Sequence, residues 1–232
     1  VISNPYFHLL DIVEVRNGID TAVQKMEKEG IKVRKPLLVI DGTWSTPILV
    51  KSLELGADVE LHSLTKYVGG HSDLMGGVLV CQDGRVSSKL QTMHSRGGLV
   101  LSPWDCHFAT RGLRTLGARM RVHSENAMFL ATKLEEHDRV ETVLYPGLPS
   151  FEQHDLAQRL FTKKQYGGMI GIKINGGIDA AMGFIEKLSL FQSTTSLGAT
   201  ESYVEPVGLM DSKAPPSMLR LSIGLEDAHD LW

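Results

Sequence analysis

A chain of 232 residues, 42% apolar and 22% charged, is long enough for one large domain or two modest ones with real cores. Its net charge of −3 gives no electrostatic reason to expect nucleic acid or an anionic membrane, and no apolar run approaches the ~18 residues that cross a bilayer. Two cysteines, Cys81 and Cys106, cannot build a disulfide framework; they read as small buried hydrophobes in a reducing interior, which points to the cytoplasm.

The chain opens at Val1 with no leader pattern and stops at Trp232 in what reads as a helix start, so both ends are expected to be cuts. DIVEVRNGIDTAVQKMEKEG spaces Ile12, Val15, Ile19, Val23 and Met26 as a helix does, and Gly30 stops it. PLLVID, residues 36–41, is a short apolar run ending in an acid, the pattern of a strand buried on both faces. STPILVKSLELGA predicts a short helix ending at Gly56, DVELHSLTK a strand that breaks at Lys66, and MGGVLVCQ a third strand. Residues 102–137 turn helical, YPGLPS is a break, GGMIGIKING is a strand, AAMGFIEKLSLF a helix and MLRLSIGLE a last strand. Strands alternating with helices predict an α/β fold with a mostly parallel sheet. The change of pattern places a boundary near residue 118: 1–118 belong to a larger domain, 119–232 to a smaller C-terminal α/β domain.

Chemistry concentrates where two predicted strands end. Asp41 closes one, and Lys66 follows the next inside SLTKYVGGHSDLMGG. Ligands of open α/β sheets sit at such carboxyl ends. A half-buried lysine loses part of its proton affinity, and a neutral amine forms a Schiff base with an aldehyde. Ser63, Thr65 and the following glycines suit a phosphate. An aldehyde beside a phosphate suggests pyridoxal phosphate, whose ring nitrogen needs an acid such as Asp41 to keep it protonated. Each residue also has a plainer reading. A lysine after a strand is commonly solvated, an aspartate there often caps the next turn, and Ser63 and Thr65 can be ordinary strand-end residues. Two rival chemistries find little support. His62, His71 and Asp73 match no established metal-ligand spacing, and GHSDLMG lacks the glycine spacing of a serine nucleophile elbow.

DGTWSTP followed by LELGADVELHSLTKYVGGHSDLMGG resembles the cofactor-lysine region of the Cys/Met-metabolism (trans-sulfuration) family of pyridoxal-phosphate enzymes. The likeness continues through GGLVLSPWDCHFATRGLRTLGARMRVHSENA, YPGLPS, TSLGATES and LRLSIGLEDAHDL, nearly the whole chain, and S-x-T-K-Y-x-x-G-H-S-D is a highly specific run. The resemblance implies a fold-type I, aspartate-aminotransferase-like protein. In it Lys66 carries the cofactor as a Schiff base and then moves protons, Asp41 pairs with the pyridine nitrogen, and Ser63 and Thr65 bind phosphate. Asn4 touches the ring oxygen, Arg220 holds the substrate α-carboxylate, and Ser196 and Thr195 line the substrate pocket. The implied activity is cystathionine γ-synthase or γ-lyase type elimination or replacement on a sulfur amino acid, in a homo-oligomer that is a dimer of dimers. A cysteine or cystathionine β-lyase, or a methionine γ-lyase, is the alternative within the family.

Four departures stand out. Gly42 and Trp44 replace the family's asparagine and smaller aromatic. Thr195 stands where γ-lyases and bacterial γ-synthases carry glutamate and β-lyases tyrosine. The region between Asp11 and Asp41 is longer than the family pattern, so that KEGIKVRKP forms a surface loop, and the segment after TSLG is compact with a Pro-Pro pair. The family's first third is also absent, so the chain alone is expected to bind the cofactor poorly and to turn over little. A catalytically incompetent truncated relative is the reading from another class; intact Asp41, Lys66 and Arg220 speak against it.

Overall fold

The computed structural model describes all 232 residues, Val1–Trp232. Helix α1 (Ile12–Lys28) is capped by Asp11, whose carboxylate accepts from the Val13 and Glu14 amides, and Gly30 follows it at φ +77°. Residues 31–37 form a largely exposed loop that ends at the buried Leu38. Strand β1 (Val39–Asp41) then leads to the short helix α2 (Thr46–Leu49). The helix expected to reach Gly56 stops there instead. Val50 turns extended (φ −133°, ψ 130°), and that bend buries Leu49 and Val50 completely.

Strand β2 (Val59–Ser63) pairs parallel with β1, and β3 (Gly77–Cys81) pairs antiparallel with β2. Between them residues 64–76 form a wide helical turn and a loop. No crossover helix intervenes, so the chain returns antiparallel. The second sheet follows two helices, α3 (Gly84–Gly97) and α4 (Pro103–Glu135). Its strands are β4 (Val140–Leu144), β5 (Met169–Ile174), β6 (Gln192–Ser193), β7 (Tyr203–Pro206) and β8 (Met218–Ser222), in the order β4-β5-β8-β7-β6. Helices α5 (His154–Leu160), α6 (Gly177–Ile185), α7 (Val207–Met210) and α8 (Ala228–Leu231) lie among them. The α/β class stands, but the expected mostly parallel sheet is corrected to two mixed sheets: only β1–β2 and β6–β7 run parallel.

Helix α4 runs unbroken across residue 118, and one cluster of 41 buried residues includes Ile40 and Leu64 of the first unit with Ile170, Leu219 and Leu221 of the second. Packing is therefore continuous across the expected boundary. Two readings of exposure are corrected. Val39 is half exposed, as are Val78, Leu79 and Val80 of β3, so the first sheet is not buried on both faces: no element of this chain covers its outer side. Cys106 is exposed, in the first turn of α4 where it leaves solvent, and Cys81 is only half-buried, at the end of the open strand β3. No helix is long and apolar enough to cross a membrane.

Candidate active site

Lys66 sits inside the turn Leu64–Val68, with φ −93° and ψ −135° in a run otherwise helical. The turn is closed by Gly69 N–H donating to Leu64 O and by Gly70 N–H donating to Lys66 O, both at 2.8 Å. The first is an i→i+5 bond, a π-type closure of the kind that recurs at functional sites. The Lys66 ammonium donates to Ser196 Oγ at 3.3 Å, across 130 residues of sequence. Burial is the largest influence on this amine and lowers its pKa; the Arg220 charge lowers it further, and Glu205 opposes both.

Arg220 lies on β8 and is 4% exposed. Its Nη1 donates to Asn4 Oδ1 at 2.8 Å, and its Nη2 to the carbonyls of Thr195 (2.7 Å) and Ser196 (3.3 Å). Its counter-charge is Glu205, which faces it directly in the β7–β8 ladder. The guanidinium carbon is 6.0 Å from the centre of the Trp44 ring, within cation–π range. Five sequence-predicted residues thus meet in one chain of contacts: Lys66, Ser196, Thr195, Arg220 and Asn4. Glu205 joins them without having been singled out, and Trp44, noted only as a departure from the family pattern, joins them too. Burial raises the Glu205 pKa, while Arg220 and then Lys66 pull it down.

Asp41 and Ser63 form a separate string through Thr43, and Thr65 lies apart from it. The Asp41 carboxylate accepts from the Thr43 amide at 2.8 Å, and Thr43 Oγ1 accepts from the Ser63 amide at 3.0 Å. The turn-capping reading and the cofactor reading of Asp41 are therefore compatible, since only Oδ1 is engaged and the side chain stays exposed. No hydrogen bond or ion pair joins Asp41 to Lys66. Thr65 Oγ1 accepts from the Gly76 amide at 3.2 Å, and with Ser72, Asp73, Met75, Asp105 and Ser196 it lines a cavity of about 440 Å³.

The Gly42 departure has a packing reason. A Cβ there would stand 2.7 Å from His62 Cε1, so glycine admits the buried His62–Glu60 pair at 3.3 Å. His62 is thereby occupied in the core, while His71 bonds the Gly69 carbonyl through Nδ1 at 2.8 Å.

The donor set suits pyridoxal phosphate. It offers an amine with a lowered pKa, an exposed carboxylate with one oxygen free, a serine hydroxyl without a protein partner and a threonine hydroxyl still able to donate.

Comparison with known proteins agrees with that chemistry. The model of the family described as Cys/Met metabolism PLP-dependent enzyme matches residues 1–232. Cystathionine gamma-lyase of Dictyostelium discoideum is 41% identical over 99% of this chain and 58% of its own length. Cystathionine gamma-synthase of Mycobacterium tuberculosis is 37% identical over the same shares. The crystal structure of metB from Corynebacterium glutamicum superposes with a TM-score of 0.87 at 36% identity, covering 99% of this chain and 58% of that one. The chain thus spans 58% of the length of each of these relatives. A lysine turn beside a buried arginine and a fold shared over the whole chain lead to one family: the chain belongs to the Cys/Met metabolism PLP-dependent enzymes.

Proposed function

We propose that the full-length protein is a PLP-dependent enzyme that eliminates or replaces a substituent of a sulfur amino acid, of the cystathionine γ-synthase or γ-lyase type. The observation that carries this reading is the Lys66–Ser196–Arg220 connection: the amine donates to the Ser196 hydroxyl, and Arg220 donates to the Ser196 carbonyl. An α-amino acid held by its carboxylate at Arg220 has its Cα within reach of the Lys66 amine.

When bound, the cofactor supplies an electron sink for charge that develops at Cα. Lys66 holds the cofactor and, once released, removes the proton from Cα and carries it onward. Asp41, whose Oδ2 has no protein partner, would hold the protonated pyridine nitrogen, and the Ser63 and Thr65 hydroxyls would hold the phosphate. Asn4 gives its oxygen to Arg220 and keeps its amide donors for the ring oxygen. Arg220 binds the α-carboxylate through the donors that Asn4, Thr195 and Ser196 leave free, each charged bond contributing about 1.5–3 kcal/mol net. Trp44 and the Asn4 contact keep the guanidinium plane from rotating. Thr195 and Ser196 border the pocket, and the side groups beyond them separate γ- from β-chemistry. The assembly is a cytoplasmic homo-oligomer, a dimer of dimers.

Borohydride reduction of the PLP-loaded full-length protein, followed by peptide mass mapping, tests the centre of this reading. The label is expected on Lys66; a label on another side chain overturns the assignment. A substrate panel read by oxo-acid release and by cystathionine formation then separates γ-replacement, γ-elimination and the β-lyase or methionine γ-lyase alternatives.

A further inference from the structure

Arg119 is a buried cation without an anion. It is 6% exposed, on α4, and no carboxylate pairs with it. Its donors are nonetheless satisfied. Nη1 donates to Tyr67 O at 2.6 Å, Nη2 to Val68 O at 3.2 Å and Gly112 O at 2.8 Å, and Nε to Thr115 Oγ1 at 3.1 Å. Two of these acceptors are the carbonyls that directly follow Lys66. They belong to the C-terminal end of its turn, where carbonyl dipoles point outward and favour a cation.

The surroundings are shaped to bring the guanidinium there. Gly112 lets α4 approach the turn: a Cβ at that position would lie 2.6 Å from Gly69 O. Gly70 takes φ +74°, and its missing side chain leaves the space that Arg119 Nη1 fills. Thr115 completes the set by accepting from Nε while its own hydroxyl donates to Gly112 O at 3.2 Å. Gly112, Thr115 and Arg119 recur at spacings of three and four, one face of the helix. A buried charge without an ion partner is costly, and methionine would fill this volume without that cost. The arrangement is explained if the turn needs a rigid fork rather than mere packing.

We propose that Arg119 is the positioning residue of Lys66: its guanidinium fork fixes the Tyr67 and Val68 carbonyls, and through them the backbone that aims the Lys66 amine at Ser196. The proposal rests on Lys66 being the working amine of the site. Lys66 has non-helical dihedrals between a helical start and the clamped carbonyls, so freeing those carbonyls frees its aim. Arg220 and Glu205 are the charged groups that face the amine, and neither touches Arg119, so the clamp acts through the backbone.

The test uses full-length protein freed of cofactor, which keeps its outcome apart from the borohydride result. Arg119→Met, Arg119→Lys and Thr115→Val are compared with wild type by amide hydrogen exchange and by pH-dependent acylation of Lys66 mapped on peptides. Exchange at Gly69 and Gly70 is expected to rise about ten-fold or more in Arg119→Met, with β5 and β8 unchanged. The acylation midpoint is expected to move up, because a loosened turn exposes the amine and relieves the burial that lowers its pKa. Arg119→Lys keeps the charge but not the fork, and is expected to show the same changes at smaller size; Thr115→Val, the mildest, carries the test if Arg119→Met does not fold. An unchanged midpoint with protection falling evenly across the molecule would mean that Arg119 only packs, and the proposal fails.

Discussion

The two sheets are built from similar apolar residues and buried very differently. In the second sheet β5 reads Met-Ile-Gly-Ile-Lys-Ile and every residue but Lys173 is buried; all five residues of β8 are buried. In the first sheet Val78, Leu79 and Val80 of β3 are 37%, 46% and 42% exposed. The difference divides the candidate site. Arg220 and its partner Glu205 stand on the tightly packed sheet, whereas Asp41 and Lys66 are carried by the sheet with an open outer side. Arg220, the proposed substrate anchor, thus stands on a rigid frame, while the amine depends on local devices: the π-type closure, two close-approach glycines and the contacts of Arg119.

The sharpest way to separate the two halves is to remove one function from each. Lys66→Ala in the full-length protein takes away the amine without touching the frame. Loss of a positioned acid–base group lowers turnover by about 10²–10⁴-fold, with the borohydride label gone and the thermal transition unchanged. A loss smaller than tenfold would put the chemistry elsewhere. Second in size is a stability contrast. Ile172→Ala on β5 empties a fully buried site and costs about 2–5 kcal/mol. Val80→Ala on β3, in this chain, costs less than about 0.5 kcal/mol. Equal losses in urea unfolding would show that the sheets are not differently packed.

How much of this could be read from residues alone follows from what each element buries. Helix α1 was legible because its apolar residues recur on one face, and Asp11 and Gly30 mark its ends. Helix α3 went unread although Val86, Leu90 and Met93 recur at helical spacing and Asp83 and the left-handed Gly98 mark its ends; it buries no residue, so nothing in the core depends on it. Strands β6 and β7, of two and four residues, are too short for an alternating pattern. The expected helix to Gly56 failed at Val50, where burial of a β-branched side chain overrode the pattern. Within the site, Lys66, Asn4 and Arg220 stand out by the runs they sit in. Glu205 does not: its meeting with Arg220 is a matter of strand register, which no local pattern encodes.

A pH measurement probes the seam between the units. His123 on α4 is fully buried; its Nδ1–H donates to Ile223 O at 2.7 Å, its Nε2 has no partner, and its ring meets Tyr67 edge-on at 5.1 Å. Burial is the main cause that lowers its pKa to about 4 from 6.5. Between those values the unfolded chain binds a proton that the folded chain refuses, so stability falls as pH falls from 6.5 toward 4. The full loss is about 3 kcal/mol, at about 1.4 kcal/mol per pKa unit. His123→Asn, which keeps a donor near Ile223 O, is expected to be less stable at neutral pH but flatter over that window. An unchanged slope would mean that the imidazole is not held neutral.

The smallest effect asked for is also the one that tells the two devices around Lys66 apart. Glu205 opposes the lowering of the Lys66 pKa and pairs with Arg220. Glu205→Gln keeps the shape and the hydrogen bond and removes only the charge. Arg220 retains Asn4 and the Thr195 and Ser196 carbonyls, so the expected stability loss is small, about 1 kcal/mol. Without the carboxylate the Arg220 charge acts on the amine unopposed, and the acylation midpoint of Lys66 moves down. The Arg119 variants move it up, because they act through exposure. Shifts of opposite sign at one amine distinguish an electrostatic neighbour on the packed sheet from a backbone clamp beside the open one. A shift of the same sign in both would mean that Glu205, like Arg119, reaches Lys66 through geometry rather than charge.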